Sequence, residues 1–217
     1  MNLLSHYFSG EQKNNPYYNF GLVFPDLLGV TNRKWKPLKF AESHENKQLA
    51  WQMGCKKHLA TDGIFHHLAS FHANVVFIRK KFEENELIPD NIRLFFVAHI
   101  LYELMLDRLV LINDPNCADN FYKDLNSIED EEVEKLFKQN NIEGLPQFFN
   151  FFERFKEYQY VYNYIDDERL FFALNRILTR ARQSNFVEND FPTFQKISFE
   201  VQMHLSTQFL SIFEAVN

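Results

Sequence analysis

The sequence predicts an all-α protein, and three observations support this prediction. The 217 residues are 46% hydrophobic and 17% aromatic, with 25 Phe among them, which is enough apolar surface for a large core. Gly and Pro number only 6 and 7, too few for the many tight turns of an all-β protein. Apolar residues recur at helical spacing, and no long segment alternates with the period of two that strands require. We therefore expect a single all-α domain over residues 1–217, folded as a helical bundle.

The expected elements follow from the positions of chain-breaking residues. A short apolar element at Gly21–Gly29 precedes a basic, proline-interrupted loop at 31–43. Helical spacing then runs from about residue 45 to residue 82, with a kink or break expected at Gly63. The next helix should open at Pro89, just before a capping residue and an apolar run. It should end near residue 113, and further helices are expected at about 117–126, 129–140, 145–160, 166–183 and 191–215.

Charge and composition argue against several classes of protein. A net charge of −6 and a pI near 5.8 argue against a general nucleic-acid binder. The two cysteines, Cys55 and Cys117, lie in different segments, so we expect no disulfide framework and a reducing, cytoplasmic location. The opening residues MNLLSHYF lack the basic and long apolar regions of a signal peptide.

The segment 94–112 is long and apolar enough to be mistaken for a membrane span. It contains His99, Glu103, Asp107 and Arg108, and each charge at the centre of a bilayer would cost about 2.5–3.5 kcal/mol. A central helix of a soluble bundle explains the segment better, so we expect no association with a membrane.

Two helical segments carry ligand-capable side chains at intervals of four residues. Side chains at i and i+4 lie on one helical face, about 5–6 Å apart, from where neighbouring ligands can converge on one ion. Histidine and carboxylate side chains placed in this way build metal sites in helical bundles. The two sets are His58, Asp62 and His66, and His99, Glu103 and Asp107.

The second set is the more informative, because its helix is apolar nearly all round and should be central. Ionisable groups buried there need a partner or a metal ion. A structural alternative is a hydrogen-bonded ion pair, for instance between Glu103 and an arginine of the 176–182 segment, since such pairs imitate active sites. For the first set, the nearby His67 and His72 leave open a merely His-rich amphipathic face.

The sequence contains no CxxC, HExxH, phosphate-binding glycine loop or GxSxG motif, so nucleophilic Ser or Cys catalysis has no support.

Four short motifs occur in order along the chain. MNLLSH contains His6, GLVFPD ends at Asp26, GCKKHLATD contains His58 and Asp62, and YIDDERL spans 164–170. In these motifs the chain resembles the bacterial acyl carrier protein phosphodiesterases, a branch of the His-Asp metal phosphohydrolases. The resemblance spans essentially the whole chain and implies the helical fold of the His-Asp phosphohydrolases.

The chain departs from that family at one further motif. The family has Asp-Val-Phe-Tyr-Asp-His, in which the final Asp-His pair is a metal-site signature, whereas this chain has HILYEL at 99–104. One imidazole is lost at Leu104 and one is gained at His99, about one turn earlier on the same helix. The number of ligands is thereby roughly kept, and the longer side chain of Glu103 moves the carboxylate outward.

The resemblance implies metal-dependent hydrolysis of the phosphodiester that joins 4′-phosphopantetheine to a serine of acyl carrier protein. A divalent ion, often Mn²⁺ in such enzymes, would lower the pKa of water and polarise a phosphoryl oxygen. Asp62 and Glu103 are the expected catalytic carboxylates. The residues expected to bind the ion or to support its ligands are His6, Asp26, His58, Asp62, His66, His99, Glu103 and Asp107.

A run of basic residues suggests a partner. Arg33, Lys34, Lys36 and Lys39 have no acidic residue among them between positions 31 and 41. The run is either solvated loop surface or a docking patch for an acidic partner or a phosphate. Since acyl carrier protein is acidic, the resemblance makes it the expected partner.

Two other functions stay open. The chain can be a relative that has kept the fold, lost catalysis and acts by binding a partner. It can also be a different helical metalloprotein, such as a carboxylate-bridged di-iron protein, although that class needs Glu-x-x-His pairs on two helices and the sequence contains none.

Overall fold

Helices form most of this chain in a computed structural model that describes residues 1–32, 34 and 40–216. No strand occurs among the described residues, so the prediction of an all-α protein is confirmed. The chain forms two compact units, which are residues 1–63 with 114–160 (unit 1) and residues 64–113 with 161–216 (unit 2). The expectation of one domain over 1–217 stays a prediction.

Each unit is made of helices from two separate stretches of the chain. Unit 1 contains α1 (Leu3–Gly10), α2 (Pro16–Thr31), α3 (Asn46–Phe65, as far as Gly63), α6 (Pro115–Asn126), α7 (Asp130–Gln139) and α8 (Leu145–Tyr158). Unit 2 contains α4 (Ala69–Glu84), α5 (Leu94–Asn113), α9 (Asp167–Arg180), α10 (Phe191–Ser206) and α11 (Phe209–Glu214), with short 3-10 helices at Tyr160–Ile165 and Glu188–Asp190. None of the helices in the described part of the chain is both long and apolar enough to cross a membrane.

Two glycines in unit 1 let α2 and α3 approach closely. A Cβ atom on Gly21 would lie 2.2 Å from the carbonyl oxygen of Trp51, and a Cβ atom on Gly54 would lie 2.0 Å from that of Tyr18. Both obstacles are backbone atoms, which cannot rotate aside as a flexible side chain can. The crossing of α2 and α3 therefore requires glycine at both positions.

A partly buried carboxylate fixes α1 in unit 1. Asp124 on α6 accepts hydrogen bonds from the hydroxyl of Tyr7 on α1 at 2.8 Å and from the amide of Asn19 on α2 at 2.7 Å. Burial, together with the hydrogen bond to Asp124, raises the pKa of the Tyr7 hydroxyl. Because three helices meet at one carboxylate, the position of α1 relative to α2 is set by directed hydrogen bonds as well as by packing.

Helix α5 is the central helix of unit 2. It contacts α4, α9 and α10, and Leu101 and Leu104 are buried as predicted. A buried cation also lies on it: Arg108 forms an ion pair with Asp167 at 2.7 Å and donates to the hydroxyl of Ser198 at 3.0 Å. These partners supply the compensation that a buried guanidinium requires.

Four boundaries differ from the sequence-based expectation. The helix predicted to open at Pro89 is α5, which begins only at Leu94. The apolar element predicted at 21–29 is part of the longer α2, which begins where Asn15 caps the backbone N–H of Tyr18 and Pro16 occupies the first turn. The helical stretch predicted from 45 to 82 divides into α3 and α4 at residues 66–68, while Gly63 lies within α3. The segment predicted at 191–215 divides into α10 and α11.

Candidate metal centres

The first group of ligand-capable side chains lies in unit 1 and consists of His6, Asp26, His58 and Asp62. Helix α1 carries His6, α2 carries Asp26, and α3 carries the other two residues one turn apart. Ligand atoms of His6, Asp26 and His58 all lie within 4.8 Å of one another. The close crossing of α2 and α3 is what allows side chains from these two helices to meet.

Hydrogen bonding determines which nitrogen of His58 faces the group. Its Nδ1 lies 2.8 Å from the carbonyl oxygen of Leu22, and since a carbonyl can only accept, Nδ1 carries the hydrogen. In the neutral ring, Nε2 is then unprotonated. It lies 3.8 Å from Asp26 Oδ1 and 3.7 Å from Asp62 Oδ2.

This arrangement fits a cation. In the neutral tautomer, Nε2 directs a lone pair toward the two carboxylates, so a cation placed among these atoms would be attracted by all three. Two ligands on one divalent ion, each about 2.0–2.2 Å from it, are separated by roughly 3–4 Å, depending on the angle between them. The two separations of 3.7 and 3.8 Å fall within that range. The donor set of imidazoles and carboxylates also suits Mn²⁺ and Zn²⁺.

His6 is held neutral against the ring of His58. The two rings stack with centroids 3.8 Å apart, and burial above all lowers the pKa of His6 to about 4. His6 Nε2 is 3.1 Å from Asp62 Oδ1, and its Nδ1 is buried with no hydrogen-bond partner among the described residues. A neutral imidazole is the form that binds a metal ion.

Asp62 is ionised over the whole physiological pH range. Burial would raise the pKa of its carboxyl, but the imidazole of His6, with Nε2 at 3.1 Å, and the positive amino group of Met1, at 2.7 Å, hold that pKa below its usual value. The side chains of Asp62 and Asp26 are 29% and 34% exposed, whereas those of both histidines are buried. A substrate would therefore reach this group from the carboxylate side.

The second group lies in unit 2 and consists of His66, His99 and Glu103. His99 and Glu103 are one turn apart on α5, and His66 follows the end of α3. His66 Nε2 is 3.2 Å from His99 Nε2 and 3.3 Å from Glu103 Oε1, and His99 Nε2 is 3.0 Å from the same oxygen. Burial would raise the pKa of Glu103, but nearby positive charge and then the contacts with the two imidazoles hold it well below its usual value.

The remaining predicted residues have different surroundings. Asp107 is fully buried on α5, one turn beyond Glu103, and belongs to neither group of possible ligands found among the described residues. Leu104, at the position of the family's histidine, is buried in the apolar core of unit 2. In the basic run predicted to dock a partner, Lys34 is exposed, whereas Arg33, Lys36 and Lys39 lie outside the described residues.

Two contributors to these groups were missed in the sequence. The carbonyl of Leu22 orients His58, and a backbone carbonyl leaves no signature in the residue type. Phe71 packs edge-on against the rings of His66 and His99, with centroids 5.0 and 5.1 Å away. Phe71 lies close in the sequence to His66, His67 and His72, which suggests contact with a histidine. Only the tertiary structure shows which histidines it contacts.

Comparison with known proteins adds no family assignment to this geometry. No protein-family model, curated protein or solved structure matches the chain.

Proposed function

We propose that this chain is a divalent-metal-dependent phosphodiesterase and that the first group is its reaction centre. The observation that carries the proposal is the position of His58 Nε2, 3.8 Å from Asp26 Oδ1 and 3.7 Å from Asp62 Oδ2, while Nδ1 donates to the carbonyl of Leu22. A group of buried neutral imidazoles and accessible carboxylates from three helices is typical of a site that binds an ion and leaves one side open.

The residues of the group have separate roles in this proposal. His6, Asp26 and His58 hold the ion, and the carbonyl of Leu22 keeps Nε2 of His58 directed at it. Asp62, partly exposed and 3.7 Å from His58 Nε2, is the proposed acceptor of the proton of the attacking water. When bound, the divalent ion lowers the pKa of water and polarises a phosphoryl oxygen of the substrate. A catalytic role for Glu103 stays a prediction.

The substrate we propose comes from the family resemblance. The residues that carry the resemblance, His6, Asp26, His58 and Asp62, are the same four that meet in the first group. This supports the phosphodiester between 4′-phosphopantetheine and acyl carrier protein as the bond that is cleaved, with Mn²⁺ as the metal. The basic run from Arg33 to Lys39 is the proposed docking surface for the acidic partner.

The second candidate function is partner binding without catalysis. The observation that favours it is Leu104, an apolar and buried residue where the family has an imidazole. A chain of this kind would bind acyl carrier protein without cleaving it.

A hydrolysis assay on designed variants tests the proposal. The purified protein is assayed with Mn²⁺ against holo-acyl carrier protein and against bis(p-nitrophenyl) phosphate. His58→Asn places an amide where Nδ1 was, so it can still donate to Leu22, but it removes Nε2. It should reduce the rate at least about 100-fold, since even residues that only orient a metal ligand contribute 10–100-fold.

The matched control is His44→Asn, which changes an exposed histidine outside both groups. It should leave the rate unchanged. If the parent binds acyl carrier protein but hydrolyses neither substrate with Mn²⁺, partner binding without catalysis is the function. Equal activity in His58→Asn and the parent would remove the first group from the reaction.

A further inference from the structure

The second group forms a nearly equilateral triangle of three ligand atoms in unit 2. Its corners are His66 Nε2, His99 Nε2 and Glu103 Oε1, and its sides measure 3.0, 3.2 and 3.3 Å. Each side is short enough to be a hydrogen bond, so the first question is whether hydrogen bonds alone explain the triangle.

Hydrogen bonds between neutral rings do not account for all three sides. If both Nε2 atoms carry hydrogens and donate to Glu103, two N–H donors face each other at 3.2 Å and repel. If only one carries a hydrogen, the lone pair of the other points at an ionised carboxylate. One side of the triangle is unfavourable in either case.

A metal ion removes this conflict. With both Nε2 atoms unprotonated, all three corners present lone pairs, and an ion bound to them faces three donors and no hydrogen. Ligands about 2.0–2.1 Å from a tetrahedrally coordinated ion lie roughly 3.3 Å from each other, close to the three observed sides. The side chains are thus already spaced as one face of a coordination shell.

Apolar neighbours hold the two imidazole rings of the triangle in place. The edge of Phe71 packs against both imidazoles, and Phe65 contacts His66 and Phe71, so the rings are fixed by apolar neighbours. The side chains of His66 and His99 are 33% and 25% exposed. Solvent therefore reaches part of both imidazoles, and an ion held by the three atoms would have room for a further ligand, such as water or a small anion.

We propose that His66, His99 and Glu103 form a second divalent-metal site that binds a zinc-type ion with an open coordination position. Two neutral imidazoles and one carboxylate are a donor set of catalytic zinc sites, and nitrogen-rich sites bind Zn²⁺ more tightly than Mn²⁺. The site uses residues of unit 2 alone. It does not depend on the proposed phosphodiesterase activity of the first group.

Zinc and cobalt binding to single-site variants tests this proposal. The metal-free protein is titrated with Zn²⁺, and the bound metal is measured after dialysis. It is also titrated with Co²⁺, whose visible absorption is much stronger in tetrahedral than in octahedral coordination. His99→Asn and His66→Asn each remove one Nε2 ligand, and Glu103→Gln removes the charged oxygen with little change of shape. Each variant should lose one equivalent of Zn²⁺, with at least about a 100-fold weaker affinity, and should lose the tetrahedral cobalt spectrum.

The controls separate this site from the first group. His72→Asn changes an exposed histidine that also contacts Phe71, and it should bind Zn²⁺ like the parent. His58→Asn should keep the tetrahedral cobalt spectrum whether or not it hydrolyses phosphodiesters. Circular dichroism checks that each variant is folded, and Glu103→Gln decides the matter if a histidine variant is not. Unchanged zinc affinity and cobalt spectrum in folded His99→Asn or Glu103→Gln would overturn the proposal and identify the triangle as a hydrogen-bonded cluster that binds no metal.

Discussion

The two groups use the same kinds of side chain, but the chain assembles them in different ways. The first gathers His6, Asp26 and His58 from three helices, and its formation depends on the close crossing of α2 and α3. The second takes His99 and Glu103 from adjacent turns of one helix and adds His66. Helical periodicity is thus sufficient for most of the second group, whereas the first group requires a specific tertiary contact.

The two groups also bury opposite kinds of side chain. The imidazoles of the first group are buried and stacked, with the carboxylates toward solvent. In the second group the carboxylate is the most buried side chain and the imidazoles are partly exposed. We therefore expect the first group to be lost when the packing of the helices around it is disrupted. The second group, which has two of its three residues on one helix face, should tolerate a change elsewhere in the core.

The largest effect is expected from Gly54→Ala. The new Cβ would lie 2.0 Å from a backbone oxygen, so α2 and α3 must separate, and the cost should exceed the roughly 1–3 kcal/mol typical of overpacked cores. Unit 1 should unfold at lower urea concentration, and Mn²⁺ binding should be lost with it. The measurements are urea denaturation followed by circular dichroism, and metal analysis.

Gly63→Ala is the matched control for this change. Gly63 lies on the same helix, and a Cβ there would meet nothing within 4 Å. The substitution should leave stability unchanged or raise it by up to about 1 kcal/mol, because Ala is the better helix former. Equal stability of Gly54→Ala and the parent would show that the two helices do not cross as described.

A smaller effect is expected from Leu104→Ala in unit 2. Leu104 is fully buried on α5, so its truncation should lower the free energy of unfolding by about 2–5 kcal/mol, as should Leu101→Ala. Helical spacing still places His99 and Glu103 on one face, so zinc affinity should stay close to that of the parent. Ile112→Ala, on an exposed position of the same helix, should cost less than about 1 kcal/mol. Zinc binding that falls in step with stability would break the comparison between the two groups.

The smallest effect is expected at the start of α2. Asn15 caps this helix, so Asn15→Ala should cost about 1 kcal/mol and Asn15→Gly only a few tenths of that. Metal binding by the first group should be unaffected, because Asp26 lies more than two turns further along α2. Thermal unfolding of both variants measures the difference, and identical losses would show that the side chain of Asn15 is not the cap.

The sequence predicted the fold class and the central position of α5, because helical spacing of apolar residues is a strong local signal. It did not predict the extent of α2. Gly21, Pro25 and Gly29 are ordinarily breakers, yet all three lie within that helix. Gly21 is there for the contact with α3, which is a tertiary reason that no local pattern contains. The break between α3 and α4 at 66–68 has no Gly or Pro to mark it.

The candidate site residues also divide into those that local spacing predicted and those that it did not. The spacing of His99 and Glu103 was sufficient to predict that they lie on one helical face, and their side chains are in contact at 3.0 Å. That they act together in a site stays a prediction. By contrast, His6 and Asp26 were selected only through the family resemblance, because nothing in their local sequence pairs them with His58. Asp107 shows the limit of spacing, since it continues the pattern of α5 but belongs to neither group among the described residues.

The glycine contact has a consequence for how the first group can change. Folding itself fixes the crossing of α2 and α3, so the loss of conformational entropy in gathering the ligands accompanies folding and not the arrival of the ion. Ligands that folding has already positioned can bind an ion without a further loss of conformational entropy. If the proposed ion binds there, replacing Asp26 or His58 by another ligand would alter the ion or the reaction while the backbone stays as it is. Gly21 and Gly54 have no such substitutes, so the crossing depends on two residues that are not among the proposed ligands.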